Sequence, residues 1–291
     1  MIKIRKTVTN MSALLLMGFS LSAQAANPLL GIIEGANWDL PIVPSGNFFL
    51  QSGMVQWNEK DYDDTGRTVP SATGGTTIEG MTRLAHVFSF ASLPRVGFFI
   101  EAFQPYMSKP TTDGNTITGL GDPLVDLLVY TRLRENLLVG FGNFVSIPVG
   151  SNDISNHAWI DIPHIVADYR VGKFGVGGTY ALGYLSKVRN GCTPTNGCAE
   201  PGDIRSAQMT LRYQATSWLE PFISYISQSQ SHGEFTVSST RFPGSHEEDV
   251  GVGARFTIKH GRWLSVWYDA GIDGENAART NALYFKFVTG L

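Results

Sequence analysis

Apolar and polar residues alternate along most of this chain. In 136–147, NLLVGFGNFVSI, Leu137, Val139, Phe141, Val145 and Ile147 share one face of an extended segment, with Asn143 the polar exception. Leu138, Gly140, Gly142, Phe144 and Ser146 share the other. The segment 174–185 sets Phe174, Val176, Tyr180, Leu182 and Tyr184 against Gly175, Gly177, Thr179, Ala181 and Gly183. In 206–214, Met209, Leu211 and Tyr213 oppose Gln208, Thr210, Arg212 and Gln214. A period of two is the side-chain period of a β-strand. It predicts strands over 48–57, 77–90, 94–107, 119–133, 136–147, 157–170, 172–187, 204–215, 218–229, 247–259, 262–272 and 278–288. The connections alternate in kind. Tight ones such as Arg134-Glu135 and Thr216-Ser217 take turns with long stretches rich in Gly, Ser, Thr, Asn and Asp, such as 58–76 and 230–246. Long strands with that alternation predict an all-β chain: a transmembrane antiparallel β-barrel of about twelve strands, of the outer-membrane type, with both termini periplasmic.

The ends bound the barrel. Lys3, Arg5 and Lys6, an apolar run from Met11 to Leu21 and the small-residue site Ala23-Gln24-Ala25 read as a secretory signal over 1–25. That run is too short for a membrane-spanning helix, which needs about 20 residues. Residues 26–47 do not alternate. Pro28, Pro41 and Pro44 forbid a regular strand, while Leu29, Leu30, Ile32, Ile33 and Trp38 are too apolar for a free tail. The segment is expected either to plug the lumen or to pack over the periplasmic mouth. The barrel itself is expected over 48–291.

Composition supports this. Charged residues are 16% of the chain, against about 25% in an average soluble domain. The 32 glycines and 11% aromatics suit strands around a lumen with rings at two interfaces. Tyr169, Tyr180, Tyr184, Tyr213, Tyr225, Tyr268 and Trp159 fall outward by parity, as girdles would. Removing 1–25 takes three positive charges and no negative ones, moving the net charge from -3 to -6. That excludes nucleic acid as a partner by simple charge. Cys192 and Cys198 lie in one loop of a secreted chain and are expected to form a disulfide.

Candidate chemistry lies on the inward face. Parity turns Glu101, Asp122, Asp126, Arg132, His164, Asp168, Arg212 and Arg255 toward the lumen, with Phe103, Trp263 and Trp267 among an inward apolar set that includes Phe99, Phe144 and Phe222. The charges can pair across strands to hold the barrel round, or line a solute pathway. The rings can fill a small barrel, or bind an apolar or aromatic solute by stacking. Passive uptake of small hydrophobic or aromatic molecules is therefore one expectation, and a closed structural or interaction barrel a second. An outer-membrane lipid hydrolase is the third. Ser155-Asn156-His157 is its one candidate, no G-x-S-x-G occurs, and the chain is expected not to be an enzyme. His246-Glu247-Glu248-Asp249 reads as a hydrated loop end, and no metal or cofactor is expected. Outer-membrane lipids and small apolar solutes are the expected partners. The last strand, with Leu283, Phe285 and Phe287 outward and Leu291 at the end, suits the outer-membrane assembly machinery.

The stretch Gly119-Leu120-Gly121-Asp122-Pro123-Leu124 opens a strand that continues through Val129-Tyr130-Thr131-Arg132-Leu133. The next strand leaves through Val145-Ser146-Ile147-Pro148-Val149-Gly150. This pairing resembles the outer-membrane proteins of the phenol-degradation MetA-pathway family. The strand rhythm carries the resemblance over most of the mature chain, and the specific motifs occupy about 119–150. Val149 departs from the small polar residue common at the exit. The resemblance implies an outer-membrane barrel admitting apolar or aromatic substrates, and it carries over no substrate-contact residue.

Overall fold

The computed structural model describes residues 46–291 apart from 156 and 260. The expected signal over 1–25 and nearly all of the expected 26–47 segment lie outside the described residues. Among the described residues no helix is long and apolar enough to cross a membrane, and the chain crosses with strands.

The long strands are β1 (Gly46–Trp57), β2 (Thr76–Phe88), β3 (Val96–Pro110), β4 (Leu124–Arg134), β5 (Leu137–Ser146) and β6 (Ile160–Val171), then β7 (Phe174–Leu185), β8 (Ile204–Tyr213), β9 (Leu219–Gln230), β10 (Ser245–Lys259), β11 (Arg262–Glu275) and β12 (Asn281–Gly290). Each pairs antiparallel with its chain neighbours, and β1 also pairs with β12 from Phe48↔Gly290 to Gln56↔Ala282. That last ladder closes the barrel and removes the open edges that hydrocarbon does not tolerate.

Alternation along each strand separates two environments. In β4, Leu128 is 0% exposed while Leu127 beside it is 50% exposed. Every girdle aromatic named from the sequence is exposed, as lipid-facing rings would be. Asn143, the polar exception on the outer face of β5, donates from Nδ2 to Asp161 Oδ1 of β6 at 2.6 Å.

Two departures from the expected strands have physical causes. The strand expected from 119 is broken. Thr116–Leu120 folds back on the end of β3, with Tyr106↔Leu120 and Pro110↔Thr116, and β4 begins only at Leu124. Pro123 in the break has no N–H to give a ladder. The long loops also carry strands of their own. Lys60–Tyr62, Thr68–Pro70 and Ala277–Ala278 make a three-stranded sheet. Val188–Thr193, Gly197–Glu200, Gly233–Phe235 and Arg241–Phe242 make a four-stranded one. These sheets join loops far apart in sequence. The Cys192–Cys198 disulfide is present and staples the hairpin at one edge of the larger sheet.

Candidate functional site: the inward face of the barrel

The inward face is a mosaic of apolar clusters and ion pairs. One cluster runs diagonally from β2 to β8 through Met81, Phe103, Leu124, Phe144, Ile162 and Ile204. Phe103 and Phe144 meet edge to face with centroids 5.5 Å apart, and the His164 ring stacks on Phe144 at 4.4 Å. Gly142 on β5 makes that stack possible. A Cβ there would stand 2.6 Å from His164 Cε1. His164 Nε2 is shut from solvent with no hydrogen-bond partner.

A second cluster joins Met54, Phe222, Trp267, Ala282 and Tyr284. Trp267 and Tyr284 stack almost parallel, 5.0 Å apart with 4° between planes, and Phe222 lies 6.3 Å from Trp267. Phe222 is on β9 and Trp267 on β11, so β10 runs between them. That strand presents Gly253 here, and a Cβ on it would stand 2.8 Å from Phe222 Cζ. Trp267 is fixed in rotation by its indole N–H, which donates to Asp269 Oδ2 at 3.0 Å, and Ser224 Oγ donates to the other carboxylate oxygen at 3.3 Å. An indole that spends its one donor on the wall leaves its face for apolar contact.

The inward ion pairs fall in two groups. Arg83 and Glu101, both buried, form a two-point pair with Nε–Oε1 2.8 Å and Nη2–Oε2 2.7 Å, and the guanidinium lies 4.5 Å above the Phe103 ring. Asp126 is the register partner of Glu101, and its Oδ1 is buried without a partner. The other group is a belt. Arg212 bonds Asp168, Arg170 Nη2 meets Glu220 Oε1 at 2.9 Å, and Arg255 Nη2 meets Glu220 Oε2 at 2.8 Å. Arg255 also lies 5.9 Å from the Trp263 ring centroid.

The sequence-expected residues therefore divide. Glu101, Phe103, Asp126, His164, Arg212 and Trp267 are buried on the inward face, and Asp168, Arg255 and Trp263 lie there half-buried. Arg132 sits at the turn end of β4, where its Nη1 donates to the Glu135 carbonyl at 2.9 Å. Asp122 is elsewhere. It lies in the break before β4, and its carboxylate accepts from the Gly150 N–H at 2.8 Å and from Ser155 Oγ at 2.6 Å. Ser151 N–H donates to the Leu120 carbonyl at 2.8 Å, and a Cβ on Gly150 would stand 2.7 Å from the carbonyl carbon of Gly121. The two motifs, 119–124 and 145–150, are thus halves of one clasp, in which glycines let two backbones touch. The Ser155 hydroxyl donates to this clasp and accepts from the His157 backbone N–H at 2.8 Å, while the His157 ring is turned away, its Nε2 meeting Asn152 Oδ1 at 3.0 Å. Tyr284 completes the Trp267 cluster and is missing from the expected inward set. Parity alone could have found it, since Leu283 and Phe285 beside it face outward.

The family model described as the MetA-pathway of phenol degradation matches residues 58–287. Among solved structures, an outer membrane channel from Pseudomonas putida F1 superposes with a TM-score of 0.70 at 15% identity, covering 88% of this chain and 98% of that one. The deltaS2S3 mutant of TodX, a monoaromatic hydrocarbon channel, gives a TM-score of 0.49 at 9% identity over 86% of this chain and 91% of that one. The transport unit of the Escherichia coli autotransporter AIDA-I also gives 0.49 at 9%, over 93% and 99%. The first likeness shows the fold, an outer-membrane barrel, and the latter two are too distant to bear on function. No curated protein matches the chain.

Proposed function

The chain belongs to the family of the MetA-pathway of phenol degradation, and on that premise we propose that it is an outer-membrane channel for passive uptake of small hydrophobic or aromatic compounds. One observation carries the reading: aromatic rings stand on the inward face of the barrel, held by glycine floors and wall hydrogen bonds, in the Trp267–Tyr284–Phe222 and Phe103–Phe144 clusters. A sugar or ion pathway rewards hydroxyls and charges; an aromatic solute rewards faces on which to stack. The buried pair Arg83–Glu101 and the Arg170–Glu220–Arg255 belt hold the wall around those rings, with Asp126 and His164 as polar groups beside the pathway.

The reading has no catalytic step, energy coupling or cofactor. The hydrolase alternative loses its Ser–His pair, since the Ser155 hydroxyl donates to Asp122 and the His157 ring meets Asn152 instead. The short turns and both termini face the periplasm in this reading, after signal cleavage and insertion by the outer-membrane assembly machinery. The alternative is a structural barrel with a closed lumen. Proteoliposomes separate the two: entry of toluene and phenol ahead of sugars of similar size supports the channel, and no flux of either class from a folded barrel supports the closed wall.

A further inference from the structure

Where β2, β3 and β4 meet at the turn end of the barrel lies a cavity of about 400 Å³ among the strand ends and the turns after β2 and β4. Three guanidinium side chains line it, those of Arg95, Arg132 and Arg134, against one carboxylate, Glu135. Elsewhere on the inward face, Arg83, Arg170, Arg212 and Arg255 each meet an acid. Here none of the three is in an ion pair among the described residues. Arg132 Nη1 is held by the Glu135 carbonyl, while its Nε is shut from solvent with no acceptor. The remaining wall is largely apolar, with Val87, Phe88 and Tyr130 beside Ser89. Gly97 makes room for the Tyr130 ring, because a Cβ on that residue would clash with Tyr130 Cζ.

We propose that this cavity is a binding site for a small organic anion with a ring-sized apolar body. Guanidinium forks suit the paired oxygens of a carboxylate, and Phe88 and Tyr130 supply surface for the ring. The volume is at the low end of small-molecule sites, which run about 300–1,000 Å³, so a single-ring solute fits and a two-chain lipid does not. The site lies apart from the Trp267 cluster and goes beyond the uptake reading. It stands whether or not the lumen conducts neutral aromatics.

The test titrates the full-length barrel in non-ionic micelles with benzoate, with benzyl alcohol as the neutral ring and acetate as the anion lacking one. Benzoate is expected to bind about tenfold or more tightly than either, the factor that one charge-assisted hydrogen bond supplies. The exposed pair Arg95→Gln/Arg134→Gln, with heat-modifiable folding intact, is expected to remove that preference, and Arg132→Gln alone to weaken it. Phosphatidylglycerol added to the micelles is expected not to displace benzoate. Displacement by the lipid, benzyl alcohol bound as tightly as benzoate, or unchanged benzoate binding in the double variant would each overturn the proposal. None of these outcomes depends on flux through the lumen.

Discussion

Arg170 on β6 pairs with Glu220 on β9 at 2.9 Å, across the two strands between them. Such a reach needs low ground, and β7 supplies it with Gly175, whose place for a Cβ lies 2.8 Å from Arg212 Nη2. Arg212 lies over that glycine, Arg170 stands opposite it in register, and the two bring Asp168 and Glu220 into one belt. Gly175→Leu is expected to push Arg212 off Asp168 and cost about 1–3 kcal/mol, the usual range for overpacking. Urea unfolding in micelles checks it, with Gly290→Ala as the contrast, since the nearest atoms to the Gly290 Cβ position stand 3.9 Å away and its backbone is not left-handed.

The Arg83–Glu101 pair is buried on both sides. Glu101→Leu leaves the guanidinium without its carboxylate and is expected to cost about 3–5 kcal/mol. The double variant Arg83→Leu/Glu101→Leu removes both charges and is expected to recover most of that loss. Unfolding midpoints of the three proteins decide it. A double variant no better than the single one would mean that the pair's worth lies in packing.

The clasp makes Asp122 a structural residue with a local effect. Asp122→Ala leaves the Gly150 N–H and the Ser155 hydroxyl without their shared acceptor, a loss of about 1–3 kcal/mol for groups shielded from water. Hydrogen exchange is expected to speed up over 147–155 while the ladder between β7 and β8 keeps its protection. Uniform loosening of the barrel would contradict the clasp.

Asp63, in the loop after β1, accepts from Thr65 Oγ1 at 2.8 Å and from the Thr65 and Arg67 N–H groups at 2.9 Å. The Thr65 hydroxyl, then the two backbone donors, hold its carboxyl below the ordinary carboxylate value. A depressed folded value means that the turn's stability is fully present above the unfolded value and is lost as pH falls through the folded one. Exchange at the Arg67 amide is therefore expected to quicken only in that acid range. Asp63→Asn is expected to flatten the dependence.

How much of this was legible in the sequence follows from which forces are local. Period-two alternation survives in any strand with two different faces, so the barrel, its closure and the inward placement of Glu101, Phe103, Asp126, Arg212 and Trp267 were readable from parity. Asp122 was not, because parity presumes an unbroken strand and Pro123 interrupts this one. Gly119, Gly121 and Gly150 could be flagged but not explained, since the two backbones that touch at the clasp lie about 30 residues apart in sequence. The loop sheet joining 60–62 with 277–278 was hidden for the same reason: its strands are two or three residues long and alternate over nothing. Arg170 and Glu220 could be placed inward, but that they meet over bare β7 depends on the stagger of four strands.

The most direct test of the channel reading is solute flux into liposomes carrying the refolded barrel, wild type against Phe103→Ala and Trp267→Ala, with heat-modifiability as the folding control. Toluene and phenol are expected to enter faster than sugars of similar size, and either substitution is expected to lower the aromatic flux several-fold while leaving the barrel folded. Equal entry of sugars and aromatics, or aromatic flux indifferent to both substitutions, would contradict the channel.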